Sequence, residues 1–372
     1  MLFNSFVKAF AALPLLWQGA AAQTSAGQAC NNSPDLCDRP YSNITFLGAH
    51  DSAFIRDEST GFSTSGNQFY NTTVQLNAGV RLLSAQLHAT NSSQGNQQWH
   101  LCHSSCQLLD AGQLREWLAE IKDWMDANPN DVVTVLLVNA DAASAQDIHD
   151  EYVASGITQY VYQPQTLEAP QSWPTLGDMI AADARLVSFV ATLDDAAAAQ
   201  QVAPYLMNEF DFVFENDFDN DDPADFSCDP ARPSQLAGQP QAALDSDRLF
   251  LMNHFLYESQ AFGIEIPDVD NLGFTNAVVG DGSLGQAAFD CTRLYGAPPS
   301  FLLVDFFNVG PAINTADAMN SINNPVGRAV VSSEVLDEDS GSTGAGTSLR
   351  ASGSTLAFVL PVAVAVFWHG SW

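Results

Sequence analysis

The chain has 372 residues, 46% of them hydrophobic and 15% charged, which is ample for a large core and too apolar for a disordered chain. That length admits one barrel of about 250–300 residues or two ordinary domains. Forty-three acidic side chains against 12 basic ones set the formal charge at −31. Such a surface repels polyphosphate, which argues against nucleic-acid partners, and is also repelled by an acidic leaflet.

In chain order, Lys8, the apolar stretch Ala9 to Trp17 and the small residues Ala20-Ala21-Ala22 predict a signal peptide over residues 1–22. Sequons at Asn31, Asn43, Asn71 and Asn91 agree with export. So do six cysteines, Cys30, Cys37, Cys102, Cys106, Cys228 and Cys291, an even count that suggests three disulfides in an oxidising compartment. Six cysteines allow 15 pairings. Proximity favours Cys30–Cys37 and Cys102–Cys106, leaving Cys228–Cys291. The run Cys102-His103-Ser104-Ser105-Cys106 could also be read as metal ligands, but no second cluster completes a zinc site.

From residue 23 to 330, short apolar runs alternate with helical stretches. Strands are predicted at Ile44–Leu47, Arg81–Leu87, Val132–Val138, Leu186–Val190, Phe212–Phe214, Leu249–Met252 and Phe301–Asp305. Several are continuously apolar, as in strands buried on both faces. From Gln113 to Ala127, the spacing of Leu114, Trp117, Leu118, Ile121, Trp124 and Met125 predicts an amphipathic helix, stopped by Asn128-Pro129. Alternating strands and helices imply a parallel sheet, and their number favours an irregular closed β/α barrel. Glu215 to Asp229 reads as a long solvated loop. Residues 331–344 read as a Ser/Gly-rich acidic stalk. Residues 345–372 then end in an apolar tail, Leu356 to Trp368, too short to span a bilayer. Small residues, a spacer and that tail form the arrangement of a GPI-attachment signal, with Gly344 as the attachment residue. The expected location is the outer face of the plasma membrane or the cell wall, with the anchor as the only membrane contact.

Three strand ends carry chemistry: His50-Asp51 after the first strand, His103 beyond the second, and Asp305 closing the last. In a β/α barrel the C-terminal strand ends converge on one face. Two imidazoles and two carboxylates there suffice for general acid–base catalysis.

The stretches Ile44-Thr45-Phe46-Leu47-Gly48-Ala49-His50-Asp51-Ser52, Gly79-Val80-Arg81-Leu82-Leu83 and Leu101-Cys102-His103, with Asn128-Pro129-Asn130-Asp131 and Asp305-Phe306-Phe307, resemble the X domain of phosphatidylinositol-specific phospholipases C. Within that superfamily the likeness is to fungal secreted phosphodiesterases, from about Asn43 to Asn320. It implies a TIM-type barrel. It also implies that His50 is the general base, oriented by Asp305, and His103 the general acid, partnered by Asp51. The implied substrate is a phosphodiester lipid or an inositol-containing small molecule, and the implied first product a cyclic inositol phosphate.

Where the bacterial members of that superfamily carry an aspartate and an arginine, and the animal members two calcium ligands, this chain has Ser84 and Gln86. Calcium needs six to eight oxygen ligands, so losing two carboxylates argues against a metal site of the animal type, and no cofactor is expected. Arg81, Ser84, Gln86, His88 and Asn139 are the remaining candidates for substrate contact, with Asp141, Glu215, Asn253 and His254 as further lining. The leading expectation is a calcium-independent phosphodiesterase, a monomer. The alternative is a catalytically impaired barrel that binds an inositol-containing glycolipid or wall glycan.

Overall fold

The computed structural model describes residues 29–193, 196–260 and 265–337. The signal segment 1–22, Gly344 and the tail 345–372 lie outside the described residues, as does the stalk beyond residue 337.

The described residues form twelve strands: β1 (Phe46–Ala49), β2 (Leu82–Asn91), β3 (Gln97–Cys102), β4 (Asp110–Gln113), β5 (Val133–Asn139), β6 (Leu186–Ala191), β7 (Leu206–Asn208), β8 (Val213–Glu215), β9 (Leu249–Asn253), β10 (Tyr257–Ser259), β11 (Glu265–Pro267) and β12 (Phe301–Val304). Eight of them form one curled parallel sheet in the order β7-β6-β5-β2-β1-β12-β9-β8. First and last strands therefore meet, as in a TIM-type barrel, and the ring is left unpaired at one seam, between β7 and β8, which a four-residue helix joins. The sequence reading missed β7, whose three residues are too few to show a period.

Alternation along each strand sorts the side chains. Leu47, Leu83, Val135, Val190 and Val304 face outward into a core shared with the surrounding helices. Phe46, Leu82, Leu136, Phe189, Leu251, Phe301 and Leu303 fill the lumen. Gly48 is small for a reason: a Cβ there would lie 2.9 Å from both Leu82 and Leu303. At the N-terminal end, Tyr41 plugs the barrel, its ring 5.0 Å from that of Trp173 and its hydroxyl 2.5 Å from Thr134 Oγ1. Each large apolar side chain withdrawn from water this way contributes about 1.5–3 kcal/mol.

The helix Leu114–Ala127 buries the six residues its spacing singled out. Thr72–Ala78 is capped at its start by Asn71 and ended by Gly79, whose φ of +109° turns the chain into β2. Disulfides join Cys30–Cys37, Cys102–Cys106 and Cys228–Cys291, the pairing that proximity favoured. The 215–229 stretch departs from a simple solvated loop: Glu215, Asn216 and Asn220 are buried, while Asp217, Asp219, Asp221, Asp222, Asp225 and Asp229 are exposed. Among the described residues, no helix is long and apolar enough to cross a membrane.

Candidate active site

The lumen changes character at its C-terminal end. The next inward positions after the apolar layers are His50, Ser84, Gln86, Glu215, Asn253 and Asp305, so the strand period itself delivers a polar ring there.

His50 and Asp305 follow β1 and β12, which pair in register, and the His50 amide continues the ladder by donating to the Val304 carbonyl at 2.9 Å. This brings His50 Nδ1 to 2.9 Å from Asp305 Oδ1. Asn67 Nδ2 donates to the same carboxylate oxygen at 3.0 Å. With Nδ1 committed to Asp305, Nε2 is the nitrogen left for chemistry. The ring stacks flat on Phe255, centroids 3.9 Å apart and planes within 2°.

Asp51 folds back over the barrel because its backbone is left-handed, φ +46°, and its amide donates to Ser84 Oγ at 2.9 Å. Phe306 and Ser104, next to Asp305 and His103, share that conformation, with φ of +43° and +53°. Left-handed non-glycine residues cost of order 1–3 kcal/mol and persist where surrounding structure enforces them.

Three side chains converge on Asp51 Oδ2: Gln86 Nε2 donates at 2.8 Å, His50 Nε2 lies at 3.7 Å and His103 Nε2 at 3.6 Å. One carboxylate oxygen thus faces both imidazoles. The imidazole contacts are too long for hydrogen bonds but short for charges in a buried site. Phe54 meets the His103 ring edge-on at 5.4 Å.

The environments drive the two imidazoles apart. Burial alone lowers the His50 pKa, but Asp51, Asp305 and the bond to Asp305 outweigh it, and the net direction is upward. Burial also lowers His103, and there the attraction of Asp51 does not compensate, with His50 opposing protonation as well. At rest the proton of the pair therefore sits on His50. Tyr257, pushed well above the usual phenol value by burial and by the charges of Asp305 and Asp51, stays protonated beside them.

The other predicted contacts divide. Ser84 and Gln86 point into the site and hold Asp51. His88 continues their face and lies 3.4 Å from Asp141 Oδ2, near enough for its charge to act on His103. Arg81 is corrected: it sits at the opposite end of β2, buried, ion-paired with Asp131 at 2.6 Å, bonded to Asn32 and stacked over Trp124. Asn139 is corrected too. Its side chain points out of the lumen and clasps the 139–143 turn through the Ala143 amide and carbonyl. Glu215 pairs with Arg232 and accepts from Asn253. His254 turns away, Nε2 3.0 Å from the Thr275 carbonyl and its ring stacked on Phe226; burial holds its pKa down to about 4. A cavity of about 290 Å³ lies on that side, lined by His254, Asn216, Phe226, Asp281 and Gln286, apart from the imidazole pair.

For a metal ion the donors are poorly placed. Gln86 Oε1 accepts from the Ser104 amide, so it presents NH2 rather than oxygen to Asp51. The close group Cys102, Cys106 and Asp110 has both sulfurs in a disulfide.

Sequence reasoning missed four residues. Asn67 orients Asp305. Gln68 clamps both strand ends, donating to the His50 and Val304 carbonyls and accepting from the Phe307 amide. Both come from a loop with no periodicity, where a polar pair reads as solvated, although each is fully buried. Phe255 and Tyr257 follow β9 in a stretch without a motif.

The chain matches the PI-PLC X-domain family (PI-PLC X 1) over residues 36–320. It is similar to the PI-PLC X domain-containing protein 1 of Arthroderma benhamiae, 35% identical over 317 residues that cover 82% of this chain and 97% of that protein. An uncharacterized secreted protein of the same fungus is 36% identical over 285 residues, covering 76% of this chain and 60% of the relative's length. Among solved structures, the phosphatidylinositol-specific phospholipase C of Staphylococcus aureus superposes with a TM-score of 0.50 at 13% identity, over 77% of this chain and 95% of that one. That likeness speaks to the fold.

Proposed function

The chain belongs to the PI-PLC X-domain family, and from that premise we propose that it is an exported phosphodiesterase that cleaves a phosphoinositide-like or GPI-like ester by acid–base catalysis between His50 and His103. The observation that carries this reading is the convergence of both Nε2 atoms on Asp51 Oδ2 over an apolar barrel, with Asp305 behind His50.

A hydroxyl neighbouring the phosphodiester loses its proton to His50 Nε2 while its oxygen attacks phosphorus. Asp305 stabilises the imidazolium that forms. The bond from phosphorus to the departing alcohol breaks as His103 Nε2 gives that oxygen a proton, yielding a cyclic phosphodiester and a free alcohol with no covalent enzyme intermediate. Attack therefore starts from the minor form of the pair, with His50 neutral and His103 protonated, and leaves the proton on His50, the side that Asp51 and Asp305 favour. Water attack on the cyclic ester, with the roles exchanged, restores the starting state. Charge on the phosphate oxygens meets the neutral phenol of Tyr257, the Gln86 amide and the His88 ring, in place of a guanidinium. Such catalysis rests on positioning and charge stabilisation.

Turnover is independent of calcium on this reading. The decisive assay offers the secreted, tail-less protein phosphatidylinositol, a GPI lipid and a simple phosphodiester, with EDTA and calcium arms. Equal turnover by His50→Ala and the parent would sink the proposal. A second reading, a barrel that binds an inositol-containing glycolipid or wall glycan without cleaving it, is favoured by Ser84 and Gln86 and by the neutral resting state of His103. Saturable binding of inositol phosphates with no turnover of any ester would select it.

We further assign residues 1–22 to export, 23–330 to the barrel, 331–344 to a stalk and 345–372 to a GPI signal with Gly344 as the attachment point, which puts a monomeric protein on the outer cell surface. The secreted relative supports export. Retention of the native protein in membranes after GPI-specific cleavage would contradict the anchor.

A further inference from the structure

One imidazole of the pair is held by the barrel and the other is not. His50 and Asp305 extend strands paired at four consecutive positions, Phe46 with Phe301 through Ala49 with Val304. His103 lies off the ring. It follows β3, which among the described residues pairs with the C-terminal half of β2, Leu87–Asn91, most of it beyond the β5 ladder, and with β4, where the register slips between His100 and Cys102.

What fixes His103 is local. Its loop runs from Cys102 to Cys106, and the disulfide between them brings their Cα atoms to 4.7 Å. Inside that loop the His103 amide donates to the Leu109 carbonyl at 3.0 Å, and Ser104 turns left-handed. The turn aims the Ser104 amide at Gln86 Oε1, 2.9 Å away, while Gln86 Nε2 donates to Asp51 Oδ2 at 2.8 Å. Gln86 is thus bonded at one end to the loop and at the other to the carboxylate both imidazoles face. Its orientation is not free: the opposite flip would set its oxygen against Asp51 and its NH2 against an N–H donor.

We propose that the Cys102–Cys106 bridge and Gln86 form one positioning device for His103, the bridge closing the loop and the amide tying it to Asp51. The catalytic consequence rests on the phosphodiesterase reading above; the positional one does not. An open loop of this length explores many conformers, and closing it removes them before substrate arrives. A misplacement of about 1 Å at a reacting group can cost about 100-fold in rate. Because such a bridge persists only in an oxidising compartment, the pair would assemble on export, and the chain would be idle where thiols are reduced.

The test compares the parent with Cys102→Ala/Cys106→Ala and with Gln86→Leu, using Cys228→Ala/Cys291→Ala to control for loss of a bridge elsewhere. Histidine ring signals are titrated by NMR, and kcat and KM are measured on a soluble phosphodiester. In the parent, burial holds His103 below the ordinary imidazole value. With the loop opened, its pKa rises toward that value while His50 keeps its own, and kcat falls about 100-fold with KM little changed. Gln86→Leu moves His103 in the same direction by less, and the control leaves it in place. An unmoved His103 in the opened loop overturns the proposal. Should the double cysteine variant fail to fold, an unmoved His103 in folded Gln86→Leu overturns it instead. If no protein turns over any ester, the phosphodiesterase reading fails, and the titration still decides the positional claim.

Discussion

Replacing Asp51 by Asn isolates the charge shared by the two imidazoles. Asn retains the shape and an oxygen for the Gln86 amide, so the hydrogen bond at 2.8 Å survives while the negative charge goes. That charge lies 3.7 Å from His50 Nε2 and 3.6 Å from His103 Nε2. Unit charges about 4 Å apart interact by about 4 kcal/mol at an effective dielectric of about 20. Relaxation and partial solvation reduce this, and an opposite charge at such a range typically shifts a pKa by roughly one to three units. Both imidazoles lose attraction for a proton, so both pKa values fall. In a bell-shaped profile the limbs belong to the pair as a unit, and both move toward acid. The maximum also drops, because a less basic His50 is a poorer base. The assay is kcat/KM against pH on a soluble phosphodiester. A profile whose limbs stay where the parent has them would refute the claim that Asp51 couples the pair.

Three further outcomes follow from the same geometry. Arg81→Ala strands the Asp131 carboxylate and should cost about 3–5 kcal/mol in denaturant unfolding. Being at the far end of β2, it should leave the pH–rate profile of the folded fraction unchanged. His254, held down to about 4, binds protons in the unfolded chain that it refuses in the folded one. Its contribution is therefore intact above the ordinary value near 6.5 and is lost as pH falls from there to about 4, by about 3 kcal/mol in all. Thermal melts of the parent and His254→Gln across that window should converge if this is right. Peptide mapping of the secreted protein should find glycan at Asn43, Asn71 or Asn91, which are exposed, and none at Asn31. The Asn31 side chain is buried, with Nδ2 donating to the Val132 carbonyl at 3.1 Å and Oδ1 accepting from the Val132 amide. A glycosylated Asn31 in folded protein would contradict that packing.

Much of the architecture is local in origin and could be read from the chain. Apolar runs such as Val132–Val138 and Leu186–Val190 declare strands buried on both faces, and the spacing of Trp117, Ile121 and Trp124 declares the helix between two of them. His50 could be placed at a strand end before any coordinates, whereas Ser84 and Gln86 stood out only through the family resemblance. Short elements and irregular segments carry no period, and β7, Asn67 and Gln68 stayed hidden for that reason. Arg81 and Asn139 show the complementary failure. Both lie on the right strands, but which end of β2 meets the site, and on which side of β5 Asn139 falls, are settled only when the strands pair and curl.

The sequence by itself determined a barrel with two histidines and two carboxylates near its strand ends, because residue type and alternation are local properties. Only the tertiary structure decided how they are wired: that both imidazoles face one oxygen of Asp51, that Asn67 and Gln68 brace the strand ends, and that Asp51 and Asp305 outweigh burial and favour the proton on His50. Those depend on distances of a few ångströms between segments as much as 255 residues apart, as His50 and Asp305 are. Charge, desolvation and hydrogen bonding act across such gaps only after the chain has closed them.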